Sequence, residues 1–148
     1  MKFEIIILFV TVIVLLIFFY LKKTPTKYTN VKVGNTEIRA EIADNPITQT
    51  KGLMFRKNLP ENEGMLFIFN NEGYHNFWMM NMSFPIDIIW VNKEKVVVDI
   101  TKNVQPCKLL CPIYRPNEKA MYVLEVNANF TEEHKVVIGK PLEFQILS

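Results

Sequence analysis

Hydrophobic positions fall into two regimes along this chain. From Ile5 to Leu21 they are continuous (IIILFVTVIVLLIFFYL), with Thr11 the one clearly polar residue and no charge. Beyond Tyr28 they come in short runs, many alternating with polar positions, and the runs are punctuated by Gly, Pro, Asn and Asp. The first regime predicts a membrane-spanning helix and the second a β-rich domain.

The seventeen residues of the apolar run span about 25 Å as a helix, the lower limit for crossing a bilayer core. Lys22 and Lys23 lengthen its reach by snorkelling, and Tyr20 lies where an interfacial aromatic belongs. The sequence after the run, Tyr20-Leu21-Lys22-Lys23-Thr24-Pro25, lacks the small-x-small pattern of a signal cleavage site. Residues 1–23 are therefore read as an uncleaved single-pass transmembrane anchor, residues 24–30 as a linker and residues 31–148 as the globular domain. Orientation is contested. Lys22, Lys23 and Lys27 on the C-terminal side would hold the domain in the cytoplasm by the positive-inside rule. The short N-terminal tail, like that of a secretory signal, argues for a domain outside the cytoplasmic membrane. The expectation adopted is an extracytoplasmic domain.

Within the domain, Asn30–Val33 and Glu37–Ile42 alternate around Gly34-Asn35, a hairpin signal. Asp44-Asn45-Pro46 has the form of a helix start and Gly52 that of its C-terminal cap, so Pro46–Lys51 is a short helix. Met65–Phe69, His75–Met82, Ile86–Val91, Val96–Thr101, Met121–Val126 and Leu142–Leu147 read as strands. Asn71-Glu72-Gly73 reads as a turn, Lys102–Lys119 as a long loop, and Asn129 to His134 as one helical turn. Eight or nine short strands with little helix predict a mainly β fold, a compact β-sandwich or partly closed barrel with one or two short helices.

Charge narrows the functional classes. The formal net charge is +2, but Lys2, Lys22, Lys23 and Glu4 belong to the N-terminal segment. From Thr24 onward there are 14 Lys/Arg and 14 Asp/Glu. A neutral domain without a basic stripe lacks the phosphate neutralisation that supplies most nucleic-acid affinity. No nucleic-acid partner is expected.

The blocks Gly52-Leu53-Met54-Phe55-Arg56, Leu59 to Phe67, Phe77-Trp78-Met79, Asn81, Phe84 to Ile89, Tyr122 to Val126 and Ile138-Gly139 together resemble a known family. This is domain of unknown function family 192, small proteins of bacteria and archaea, and the resemblance runs from Val31 to Leu147. It implies a compact β-sandwich domain, often behind a signal peptide or membrane anchor. It brings no established activity. The usual Trp-Met-Lys-Asn-Thr block reads Trp78-Met79-Met80-Asn81-Met82 here, which removes a cation at position 80.

Four groups of residues are candidates for chemistry. Phe77, Trp78, Asn81, Asp87 and Arg56 suggest a small-ligand pocket with aromatic walls and a few orienting polar groups. The alternative is that Asn81 and Asp87 satisfy turn backbones and Arg56 pairs with a carboxylate. His75, Met80 and Met82 form a weak Cu(I) candidate, since imidazole and thioethers suit that ion, but strand neighbours face opposite ways and methionine is a common core filler. Cys107 and Cys111, spaced C-x3-C, suit a local disulfide outside the cytoplasm better than a redox or zinc site. Asp87 or Glu125 would be the acid or base of a hydrolase-like enzyme, with Glu125 the better candidate for a buried carboxylate. No nucleophile elbow occurs, and no cofactor is expected. The leading expectation is a membrane-anchored module that binds a small ligand or serves an envelope partner. A structural or interaction module is the alternative.

Overall fold

The computed structural model describes residues 7–15 and 26–146. Residues 7–15 form a helix (α1). The remainder of the expected anchor, the linker up to residue 25, and Leu147 lie outside the described residues. Among those described, no helix is long and apolar enough to cross a membrane.

Seven strands form one sheet: β1 (Tyr28–Val33), β2 (Thr36–Ala43), β3 (Glu63–Gly73), β4 (Ile86–Val91), β5 (Val97–Val104), β6 (Ala120–Asn127) and β7 (Leu142–Phe144). Their order is β5-β4-β6-β3-β2-β1-β7, and every neighbouring pair is antiparallel except β2–β3. The sheet curls until its ends meet. Val96 bridges Pro141, Val97 N–H donates to the Lys140 carbonyl at 2.9 Å, and Leu142 N–H donates to the Lys95 carbonyl at 2.8 Å. The fold is thus a partly closed barrel. The sandwich alternative falls, because one sheet curling on itself leaves no second sheet to pack against among the described residues.

The curled sheet separates two cores. Inside it lie Ile38, Leu66, Ile89, Val91, Leu124 and Val126, with Phe130 closing one end. On the outer face lie Met65, Phe67, Ile88, Trp90 and Val123, covered by Leu53, Leu59, Phe77, Met79 and Met82 from the loops. This explains the continuous apolar run Ile86–Val91, since every residue of β4 is buried.

The parallel β2–β3 pair requires a crossover, and that crossover builds the outer layer. It begins with helix α2 (Pro46–Lys51). Asn45 caps the helix: its side chain accepts from Thr48 N–H at 3.1 Å, while the Asn45 N–H donates to Thr48 Oγ1 at 3.3 Å. Gly52 ends it at φ 47°, ψ −136°, donating to the Thr48 carbonyl. The second short helix, α3 (Phe130–Glu133), is the expected turn after Asn129, although the Asn129 side chain makes no cap bond.

Two expected elements differ. Residues 75–82 are not a strand: Phe77 and Met80 make only isolated bridges to Tyr114 and Cys107. Phe77 and Met79 are buried and Trp78 is half-exposed, so the alternation begins as read. Asn81 then adopts a left-handed conformation (φ 57°) and Met82 N–H turns back to the Met79 carbonyl, which ends it. The supposed turn at Asn71-Glu72-Gly73 is instead the end of β3, which runs through a register shift before Gly73 pairs with Ala120.

Candidate functional site

A row of residues crosses the outer face of the sheet at one level. Glu41 on β2 is opposite Met65 on β3, Met65 is opposite Glu125 on β6, and Glu125 is opposite Ile88 on β4. Glu125 thus sits mid-sheet between two apolar neighbours, 5 % exposed, with Phe67 and Val123 on the same face. The crossover brings a cation to this row, but Arg56 bonds Glu41. Glu125 Oε2 is buried and has no hydrogen-bond partner. Burial raises the Glu125 carboxyl to about 8, outweighing the Arg56 charge, which pulls in the other direction.

Above Glu125 is a recess of about 220 Å³. Gln49, Thr50 and Lys51 of α2 line it together with Gly52, Leu53, Met54, Phe67, Phe69, Asn76, Phe77 and Trp78. Gln49 Nε2 fixes the helix to the sheet by donating to the Ile68 carbonyl at 2.7 Å. Gly52 forms part of the wall because its backbone comes close: a Cβ there would lie 3.4 Å from the Phe67 ring and 3.9 Å from Glu125 Oε2. The Phe77 ring stands edge-on to Phe67 and to Phe69, with centroids at 4.8 and 6.3 Å. Trp78, 45 % exposed, is the wall residue most open to solvent among the aromatics.

The structure sorts the residues expected from sequence. Phe77 and Trp78 line the recess, whereas Arg56, Asn81 and Asp87 do not. Asn81 works through its backbone, donating to the Cys107 carbonyl and accepting from Phe55 N–H, both at 3.0 Å. Asp87 shares its strand face with Ile89 and Val91, which lie in the inner core, so it does not converge with Asn81. Its Oδ1 accepts from the N–H groups of Asn103 (2.8 Å) and Asn129 (3.3 Å), and its Oδ2 from the N–H (2.9 Å) and hydroxyl (2.6 Å) of Thr131. Asp87 is a latch holding α3 and the end of β5 to β4.

The copper candidates are similarly placed by packing. His75 stacks on Phe69 with centroids 3.6 Å apart and donates to the Asn71 carbonyl at 3.2 Å. Met82 belongs to the outer core, and Met80 bridges Cys107. No group of three or more His, Cys, Asp or Glu able to hold a metal occurs among the described residues. Cys107 and Cys111 are joined as a disulfide, with Cα atoms 5.5 Å apart.

Sequence reasoning missed Gln49, Phe67, Phe69 and Asn76 as lining residues. The parity of β3 places Phe67 and Phe69 on one side, but only the path of the crossover shows that α2 roofs that side. Protonated, Glu125 can donate a hydrogen bond into the recess; ionised, it can hold a cation. Among the described residues no histidine, cysteine, serine or second carboxylate lines the recess.

Residues 29–144 match the DUF192 family, described as Uncharacterized ACR. A UPF0127 protein of Pyrococcus abyssi is 33% identical over 113 residues, covering 73% of this chain and 87% of that protein. A UPF0127 protein of Pyrococcus furiosus is 34% identical over 122 residues, covering 78% and 95%. Two crystal structures share the fold at a TM-score of 0.73. One is a protein of unknown function from Novosphingobium aromaticivorans, 29% identical over 83% of this chain and 88% of that one. The other, from Sinorhizobium meliloti, was solved as a candidate transcription regulator and is 26% identical over 81% and 94%. The match spans nearly the whole barrel, from β1 to β7, and the chain belongs to the DUF192 family.

Proposed function

We propose that this protein is a membrane-tethered, extracytoplasmic module that binds a small ligand in the recess over Glu125. The observation that carries the reading is the unpartnered, buried Oε2 of Glu125 at an aromatic-walled opening. A buried polar atom without a partner costs free energy, and a ligand that supplies the partner recovers it. The recess is smaller than the roughly 300–1,000 Å³ of drug-sized sites. It suits a ligand of few atoms, or the end of a longer one.

The tether is supported by the uncharged, largely apolar run Ile5–Leu21 and by α1, whose side chains at Ile7, Leu8 and Phe9 are 58 to 69 % exposed. Such side chains gain from an apolar surrounding that the barrel does not give them. The disulfide supports an oxidising compartment. The regulator description of the Sinorhizobium meliloti relative is not carried over, because the charge of this domain balances. Nor is a hydrolase reading adopted, since Glu125 has no second reacting group beside it among the described residues.

A thermal-denaturation screen of the full chain in detergent against small metabolites tests the binding reading. A saturable rise in Tm that is lost in Glu125→Gln supports it. A screen in which no compound shifts the wild type overturns it. A second reading, a protein-interaction module, draws on exposed Ile47 and Phe55 beside the recess and on Leu109 and Leu110 in the disulfide loop. It predicts a protein cross-linked in membranes through those residues, with no small-molecule shift.

A further inference from the structure

We propose that the recess takes a small organic cation, the ammonium or guanidinium end of a ligand, held by Glu125 within the walls of Phe67, Phe69 and Trp78. The inference rests on the binding reading above and names its ligand class.

Charge pairing around Glu125 selects the ligand class. Glu41 and Arg56 neutralise one another beside the recess. Arg56 does not line the recess, and its charge favours the ionised form of Glu125 against the effect of burial. The neighbours of Glu125 from the sheet and the covering loop are uncharged: Met65 and Phe67 from β3, Ile88 from β4, and Phe77 from the loop. His75 lies beyond, stacked on Phe69; Lys51 of α2 lines the recess but is exposed to solvent, which screens its charge. Among the described residues, no positively charged side chain bonds the buried Oε2 of an ionised Glu125. An anionic ligand would have to sit against the carboxyl group. A cation would pair with it, and the electron-rich faces of Phe and Trp favour a cation as well. The recess volume, about 220 Å³, accommodates such an end group and excludes a bulky body.

Proton balance gives the proposal its signature. Near neutral pH Glu125 carries a proton, because burial disfavours its charged form. Entry of an alkylammonium or guanidinium ion converts the carboxylic acid to a carboxylate paired with the ligand, and the proton leaves to the buffer. Affinity should then rise with pH by up to about tenfold per unit until Glu125 ionises unaided, and level off above that.

The test uses the full chain in detergent and isothermal calorimetry with butylammonium and methylguanidinium, against neutral butyramide and anionic butyrate. Repeating the titration in buffers of different ionisation enthalpy counts released protons. Saturable binding of the cations with proton release, lost at least tenfold in Glu125→Gln and weakened in Trp78→Leu, is the expected result. Trp78 is half-exposed and serves as the second variant because its loss leaves the outer core filled. Equal or tighter binding of butyramide or butyrate, weakened by Trp78→Leu, overturns the cation class while the recess reading stands. Cation binding that both variants leave unchanged overturns the site. Absence of heat with all four probes overturns the cation proposal; the metabolite screen then decides separately on the recess.

Discussion

Gly64 lies directly against the backbone of Glu125: a Cβ at position 64 would sit 2.8 Å from the Glu125 carbonyl oxygen. It would also press on Ile38 at 3.1 Å and Val126 at 3.3 Å. Backbone cannot yield as a flexible side chain can, so β3 and β6 can approach at this level only over a glycine. Gly64→Ala should destabilise the barrel by about 1–3 kcal/mol, read as a lowered urea midpoint. Gly34→Ala is the comparison. Gly34 turns the β1–β2 hairpin at φ 64°, and a Cβ there would meet no atom within 4 Å. Only backbone strain of about 1 kcal/mol applies at that position. If Gly64→Ala is no worse than Gly34→Ala, the close approach is not what the fold requires.

The raised Glu125 carboxyl makes stability depend on pH in a direction opposite to most carboxylates. Its value is about 8 in the fold and 4.5 in the unfolded chain. Below 4.5 both states are protonated and no penalty exists. Between those values the unfolded chain has lost the proton and the folded one retains it, so stability falls as pH rises, and it levels off above about 8. The loss is on the order of a few kcal/mol. His75 acts in the contrary sense. Desolvation lowers it from 6.5, so its contribution grows as pH rises toward that value. Asp44, lowered chiefly by its hydrogen bond to Lys27, matters only under acid conditions below this window. Urea denaturation at pH 5 and pH 8 should show Glu125→Gln gaining on the wild type as pH rises, with His75 cancelling in the comparison. A constant difference between the two proteins would contradict the burial argument.

Asp87 supplies a test of the opposite kind, a buried carboxylate whose work is structural. Four donors converge on its two oxygens from three residues in two segments, the end of β5 and the start of α3. An asparagine amide would turn its NH2 group toward donors on one side. Asp87→Asn should therefore cost about 2–3 kcal/mol, seen as a lower Tm, with ligand-induced stabilisation retained in whatever remains folded. Loss of the ligand shift at unchanged Tm would return Asp87 to the binding site.

What the chain reveals before folding depends on how local each signal is. The α2 helix is legible to the residue because Asn45, Pro46 and Gly52 fix its ends through contacts within the segment itself. Ile86–Val91 is legible because burial on both faces leaves an unbroken apolar run. Residues 75–82 mislead because their alternation arises from lying on the outer core, with backbone bonds to the loop at Cys107 and Tyr114. A sequence pattern reports burial and cannot report which backbone supplies the hydrogen bonds. For the site, Phe77 and Trp78 were legible as aromatic walls, and Glu125 as a buried carboxylate. Its role as the floor was not, because that depends on Arg56 choosing Glu41, a contact across the crossover.

The disulfide offers the most direct check on where the domain resides. Cys107 and Cys111 close a ring with three residues between them, and a ring that small restrains the unfolded chain little, by about 2 kcal/mol in the chain-entropy account. The paired Cys107→Ser, Cys111→Ser variant should fold with a modestly lower Tm and an unaltered recess, since neither cysteine lines it. The bond's persistence depends on compartment: reducing cytoplasm would keep the thiols free. In intact cells, a membrane-impermeant thiol reagent should therefore label the protein only after reduction. Labelling that appears only once cells are broken, without reduction, would place the domain in the cytoplasm. Lys22, Lys23 and Lys27 would then have determined the orientation of the chain, and the proposed ligand would have to be sought among cytoplasmic amines.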